Sequence, residues 1–247
     1  LHSLGGEQMS DKITKVGCCG FTMARTKYFH TFSVIEIQQT FYQPPKLDTV
    51  KRWRDEAPAD FEFTMKAWQL ITHEASSPTY RRLKMRLSER QKQQVGAFRS
   101  TDTVLRAWET TLGIARLLHA DKVVFQCPAS FAPTSDNKDR MREFFSRIDR
   151  NTVTCIWEPR GKWSDEEISM LCRELDLIHC VDPFKTQCVT DGLRYYRLHG
   201  ISGYRHKYTD PELNDLAQYV SEETPNYFMF NNVSMWHDAI RLKELLK

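Results

Sequence analysis

Apolar and polar residues alternate with period two in short runs along this chain, and between those runs apolar residues recur at helical spacing. These runs, together with short β-branched or aromatic ones that do not alternate, predict strands over 15–20 (KVGCCG), 33–37 (SVIEI), 61–66 (FEFTMK), 123–126, 154–158 (TCIWE), 178–181, 193–199 (LRYYRLH) and 227–230. The 3.6-residue spacing predicts helices between them. Leu47, Val50 and Trp53 share one face of a helix over 47–56, with Asp48 as its expected cap. Leu105, Trp108, Leu112, Ala115 and Leu118 stripe a helix over 101–118. Two weaker helical pieces are predicted over 80–87 and 89–98. Further helices carry Met141, Phe144, Phe145 and Ile148; Ile168, Leu171, Cys172 and Leu175 behind a Ser164 cap; and Leu213, Leu216, Ala217 and Val220 behind Asp210-Pro211. A last helix spans 234–246.

Eight strands with mostly helical connections predict an α/β fold, a single (β/α)8 TIM-like barrel over 9–247. The connections from strand one to two and from six to seven look too short for full helices. The alternative, a doubly wound open sheet, lacks the Gly-x-Gly-x-x-Gly turn after strand one. Residues 1–8 show no periodicity and read as a tail or expression scar before Met9.

In a barrel the apolar face of each strand meets the helices, so the polar set points to the axis. That set includes Glu36 on strand two, Lys66 on strand three, Glu158 on strand five, and Arg197 and His199 on strand seven. Asp182 follows strand six, and Asn231 and Asn232 follow strand eight. All lie at the C-terminal ends of their strands, where barrels of this class build their sites.

Composition narrows the partners. The chain carries 35 Lys and Arg against 32 Asp and Glu, a net charge of +3, which argues against a cation-coated DNA binder but leaves room for a local basic groove. No apolar run reaches the roughly 18 residues that a membrane helix needs. Seven scattered cysteines form no zinc or redox motif and predict unpaired, mostly buried thiols, as in a cytoplasmic protein.

The segments VGCCGF (16–21), VIEIQQTFYQPP (34–45), FEFTMKAWQLITH (61–73), IWEPRGKW (156–163), YYRLHG (195–200) and YFMFNN (227–232) together resemble the DUF72, or YecE-like, family. The resemblance covers nearly the whole chain. It implies a TIM barrel related to the endonuclease IV and xylose-isomerase-like folds, in a family without an established activity. The chain departs from the family pattern at Cys18-Cys19, at Pro159-Arg160-Gly161 and at Val233-Ser234-Met235.

The residues suit several chemistries. Glu36, Lys66, Glu158 and His199 are the candidate catalytic groups, as acids, bases or counter-ions. Lys66 is expected as an anion contact or as a counter-ion to Glu36. Tyr42, His73, Arg160, Asp182, Arg197, Asn231 and Asn232 are the candidate substrate contacts, with Arg197 as the main contact for an oxyanion or, in the competing view, only a counter-ion to Glu158 or Glu36 inside the barrel. Glu36, Glu158, Asp182 and His199 are the available ligands for a divalent metal, a set too sparse to favour one. Arg160, Arg205 and Lys207 are suited to phosphates. These features point first to an enzyme acting on a phosphorylated or polyhydroxylated substrate, as a hydrolase, lyase or isomerase. The alternatives are a non-catalytic nucleic-acid-binding barrel and a structural or ligand-binding barrel with an architectural charge network.

Overall fold

The computed structural model describes residues 14–247, so the tail expected over 1–8 lies outside the described residues. Eight parallel strands close into a barrel in sequence order. They are β1 (Thr14–Cys18), β2 (Val34–Ile37), β3 (Glu62–Lys66), β4 (Lys122–Gln126), β5 (Thr154–Glu158), β6 (Ile178–Val181), β7 (Arg194–Leu198) and β8 (Asn226–Phe230). Closure leaves no unpaired sheet edge. β8 pairs with β1 from Thr14 against Asn226 to Cys18 against Phe230.

The outer layer follows the helical stripes. It comprises α1 (Arg25–Thr31), α2 (Gln39–Tyr42), α3 (Leu47–Glu56), α4 (Gln69–Thr72), α5 (Glu89–Gln94), α6 (Asp102–Leu118), α7 (Ser135–Arg147), α8 (Asp165–Leu175), α9 (Asp210–Ala217) and α10 (Met235–Leu245). The β1–β2 connection does hold a helix. Seven residues suffice for α1, because buried Tyr28 and Phe29 anchor it with rings packed on Phe32 and Phe61. Between β6 and β7 the described residues form no helix.

Two helix boundaries differ from the sequence pattern. The pieces expected over 80–87 and 89–98 shrink to a 3-10 turn, Pro78–Arg82, and to α5. Gly96, Ala97 and Phe98 all adopt positive φ, so the chain turns back and their N–H groups donate to the carbonyls of Leu70, Thr72 and Ile71. Asp48 does not cap α3. The helix begins one residue earlier, at Leu47, and Asp48 lies in its first turn. Ser164 does cap α8: its hydroxyl accepts the N–H of Glu167 at 3.2 Å, and Glu167 accepts the N–H of Ser164 at 3.0 Å. Ser164→Ala is expected to cost about 1 kcal/mol in urea melts; an unchanged midpoint would show the cap to be idle.

Two apolar layers result. One lies between strands and helices and includes Ile35, Phe63, Phe125, Trp157 and Phe228. The other fills the axis with Val34, Val124, Ile156, Tyr195, Tyr227 and Met229. Polar residues seal both ends of that axial plug. At the bottom, Glu62 takes Lys15 at 2.7 Å and the Tyr227 hydroxyl at 2.7 Å, with Lys122 3.8 Å away. At the top sits the layer from which the candidate site is built.

Candidate active site at the barrel mouth

Strand alternation stacks three layers on β3: Glu62 below, Thr64 in the middle and Lys66 above. Glu36, Lys66, Gln126, Glu158 and Arg197 therefore meet at the C-terminal end of the axis. Arg197 is fully buried at the centre. Its Nε donates to both oxygens of Glu36 at 3.1 Å, and Nη2 lies 3.0 Å from Glu36 Oε1. Its Nη1 donates to Glu158 Oε2 at 2.5 Å. One guanidinium thus bridges carboxylates from β2 and β5. Glu36 also accepts the Tyr195 hydroxyl at 2.9 Å and the side-chain amide of Gln38.

This geometry corrects two expectations. Arg197 is not placed to receive an external oxyanion: its fork is spent on two internal carboxylates and it has no exposed surface. Lys66 is not the counter-ion of Glu36, because Arg197 holds that position. The Lys66 amine instead donates to Gln126 Oε1 at 2.8 Å and lies 3.7 Å from the Phe41 ring centre. No carboxylate among the described residues forms an ion pair with it. Burial, with Arg197 nearby, pushes the Lys66 amine down to about 7, against the opposing pull of Glu158 and Glu36.

Beside this layer opens a cleft of about 650 Å³ between the loops after β5, β6 and β7. Glu158, Arg160, Asp182, His199 and Asn231 line it, joined by Trp163 and Lys185. Arg160 is 38% exposed and donates through Nε and Nη2 to Glu158 Oε1 at 3.1 and 2.9 Å. Burial works against the Glu158 charge, but Arg197 and Arg160 hold its carboxyl well below the usual range. His199 shares a 2.7 Å contact with Arg160 Nη2, and its Nδ1 lies 2.9 Å from the Arg197 carbonyl. Nδ1–H thus donates to the carbonyl and Nε2 accepts from Arg160, the neutral tautomer. Burial and the Arg197 charge push His199 down to about 3, consistent with that assignment. Burial raises Asp182, although Lys185 and the N–H groups of His199 and Phe184 oppose the shift.

Other candidates lie away from the cleft. His73 is buried against Phe41 and shares a 2.8 Å hydrogen bond with Thr72. Burial, with Lys66 nearby, lowers it to about 3. Tyr42 turns outward, under the Arg82 guanidinium at 3.5 Å. Asn232 is buried and ties down its loop, donating to Asp238 at 2.7 Å and to the His206 carbonyl at 2.8 Å. Gly200 has φ +86°, and a Cβ there would sit 2.3 Å from the Gly203 carbonyl. Its freedom serves a tight turn rather than ligand approach.

Gln126 and Tyr195 were not among the candidates read from sequence. Both sit on the inward set of their strands, so the same alternation would have found them. Lys185 and Trp163 are loop residues with no such periodic signal. All seven cysteines are free; six are buried and Cys188 is half-buried. Among the described residues no three His, Cys, Asp or Glu side chains cluster as metal ligands. Glu36 and Glu158 face each other across the Arg197 guanidinium, so their inner oxygens are already engaged by a fixed cation. The donor set does not fit a divalent ion. Among the described residues, no helix is long and apolar enough to cross a membrane.

A closed eight-stranded parallel barrel with ionisable groups gathered at the strand ends defines this molecule as a TIM barrel. Residues 23–247 match the family described as protein of unknown function DUF72, and the chain belongs to it. It is similar to a DUF72 family protein from Enterococcus faecalis V583, with 17% identity, a TM-score of 0.71 and coverage of 95% of this chain and 98% of that one. A DUF72 family protein from Thermotoga maritima MSB8 has 18% identity, a TM-score of 0.66 and coverage of 95% and 99%. A D-psicose 3-epimerase shares the fold at 12% identity, with a TM-score of 0.56 and coverage of 90% of each chain. No curated protein matches.

Proposed function

We propose that this barrel is an enzyme acting by proton transfer on a small polyhydroxylated substrate that carries an anionic group, with phosphate the best fit. The observation that carries the reading is Arg160. Its guanidinium is clamped by Glu158 and His199 yet 38% exposed on the cleft wall. Its Nη1 has no acceptor among the described residues, so it keeps donors for a ligand. Lys185, 50% exposed and 3.7 Å from Asp182, supplies a second cation on the same wall. A cleft of this size suits a ligand of metabolite dimensions.

The division of labour follows from the charges. Arg160 and Lys185 hold the anion. Asp182, whose carboxyl is raised by burial, carries the proton. His199 is a positioning residue: its ring holds Arg160 and its N–H holds Asp182 at 3.3 Å. Glu158, held ionised between two guanidinium groups, orients Arg160 and is a poor base. The polyhydroxylated class finds support in the fold shared with the epimerase, which was crystallised in the presence of D-fructose.

Calorimetric titration with fructose 6-phosphate, fructose and inorganic phosphate tests the reading. Phosphorylated sugar should bind more tightly than fructose. Arg160→Met should weaken it by roughly 10- to 150-fold, the worth of about 1.5–3 kcal/mol for a charge-assisted contact. Equal binding by the Met variant, or no binding of any of the three by the wild type, would refute it.

A further inference from the structure

The connection from β3 to α6 is the longest in the barrel, and it carries a charge imbalance that the cleft does not use. Residues 67–101 hold seven Lys and Arg against two Glu, in a chain whose whole net charge is +3. Both glutamates are already taken. Glu74 pairs with Arg99 at 2.5 Å, and Glu89 with Lys92 at 2.6 Å. Five cations remain: Arg81, Arg82, Lys84, Arg86 and Arg90. Among the described residues no carboxylate pairs with any of them, and all five are exposed. Arg82 lies flat over the Tyr42 ring.

From Arg82, the last residue of the 3-10 turn, through the irregular segment that leads to α5, basic and apolar residue types alternate in sequence. Arg82, Lys84 and Arg86 are exposed, and Tyr80, Leu83, Leu87 and the exposed Met85 line a hollow of about 320 Å³ to which Arg86 and Lys92 also contribute. The surface is therefore a row of cations beside an apolar recess, on the mouth rim across from the β5–β7 cleft. The Lys84 N–H, bonded to the Gln43 side chain at 3.0 Å, fixes the row to the loop after β2.

We propose that this strap binds single-stranded nucleic acid, its cations following the phosphates and its hollow and the Arg82–Tyr42 pair receiving unstacked bases. A single strand offers both an anionic backbone at regular spacing and apolar base faces. A duplex hides those faces. A membrane surface calls for a broad amphipathic face, whereas α5 has six residues, none of them buried. An acidic peptide matches the charge but not the recess. The inference does not rest on the proposed cleft chemistry: the cleft test reads phosphosugars, and this one reads oligonucleotides, so each can fail alone.

The experiment is fluorescence anisotropy of a labelled mixed-sequence DNA 12-mer, single-stranded and duplex, against the whole chain over a salt series. The single strand should bind more tightly than the duplex. If the five cations each meet a phosphate, log K should fall with log salt at a slope of about −3.5. Lys84→Gln, Arg86→Gln and Arg90→Gln combined should lower affinity at least tenfold and flatten that slope by about 2. The three side chains are exposed and unpaired, so the melting midpoint should not move; this separates lost binding from lost folding. A companion variant, Lys162→Gln, Arg205→Gln and Lys207→Gln, removes cations from the loops after β5 and β7 and should retain most of the affinity. Four results would overturn the proposal: no oligonucleotide binding at low salt; equal binding by the strap variant; a loss confined to the companion variant; or capture of phosphatidylserine vesicles or polyglutamate in preference to the oligonucleotide.

Discussion

Replacing Arg197 with Met is expected to destabilise the fold by about 3–5 kcal/mol, the usual cost of removing one partner from a buried ion pair. The side chain removed is wholly buried between Glu36 and Glu158. Met fills most of its volume but leaves two carboxylates facing each other in the barrel axis. Urea melts at neutral pH measure the loss. Adding Glu36→Gln and Glu158→Gln to the Met variant should restore much of the stability, because the uncompensated charges are what cost. A loss below about 1 kcal/mol would mean that water reaches the mouth layer and solvates the carboxylates.

The second large effect concerns Lys66. A lysine in the unfolded chain titrates near its ordinary value of about 10.4, whereas in the fold burial lowers the amine to about 7. Between those two values the unfolded chain binds a proton that the folded chain does not, so stability rises with pH across that window. Below about pH 7 both states are protonated and the fold bears the full cost of a buried ammonium. Lys66→Met should therefore be more stable than the wild type at pH 6, on the order of 2–5 kcal/mol at about 1.4 kcal/mol per unit. The advantage should shrink steadily toward pH 10 and vanish near there. Melts of both proteins at several pH values provide the check. A difference that stays constant with pH would show that Lys66 keeps an ordinary titration. The charge count of the layer agrees with a neutral amine. Arg197 and Arg160 already balance Glu36 and Glu158, and Lys66 would add an unmatched positive charge.

The two effects have opposite signs for the same reason. Charge buried with a partner stabilises relative to charge buried without one. Arg197 has two carboxylates; Lys66 has an amide oxygen and a ring face. A costly lysine at the mouth is an arrangement suited to a proton carrier or an anion contact, and Lys66 sits beside, though not on, the cleft wall.

The barrel and its layering were legible in the sequence because they depend on local periodicity. Phe61, Phe63 and Met65 against Glu62, Thr64 and Lys66 determine which face of β3 looks inward, whatever its neighbours do. The same rule applied to Val34-Glu36 and Tyr195-Arg197 brings Glu36 and Arg197 to one end of the axis. Ser164 and Glu167 mark the start of α8 because a capping box closes within four residues. Pairing was not legible. Glu36 lies 161 positions from Arg197, and Glu158 lies 39 positions from it. Nothing local says that Arg197 takes both carboxylates and leaves Lys66 to Gln126, since strand tilt and register decide which inward side chains touch. The same holds for the loops. Arg160, Lys185 and His199 share a cleft because three loops from three strands converge, and Asn232 turns from it because Asp238 captures its amide. Alternation set the direction of each side chain, and closure of the barrel chose its partner.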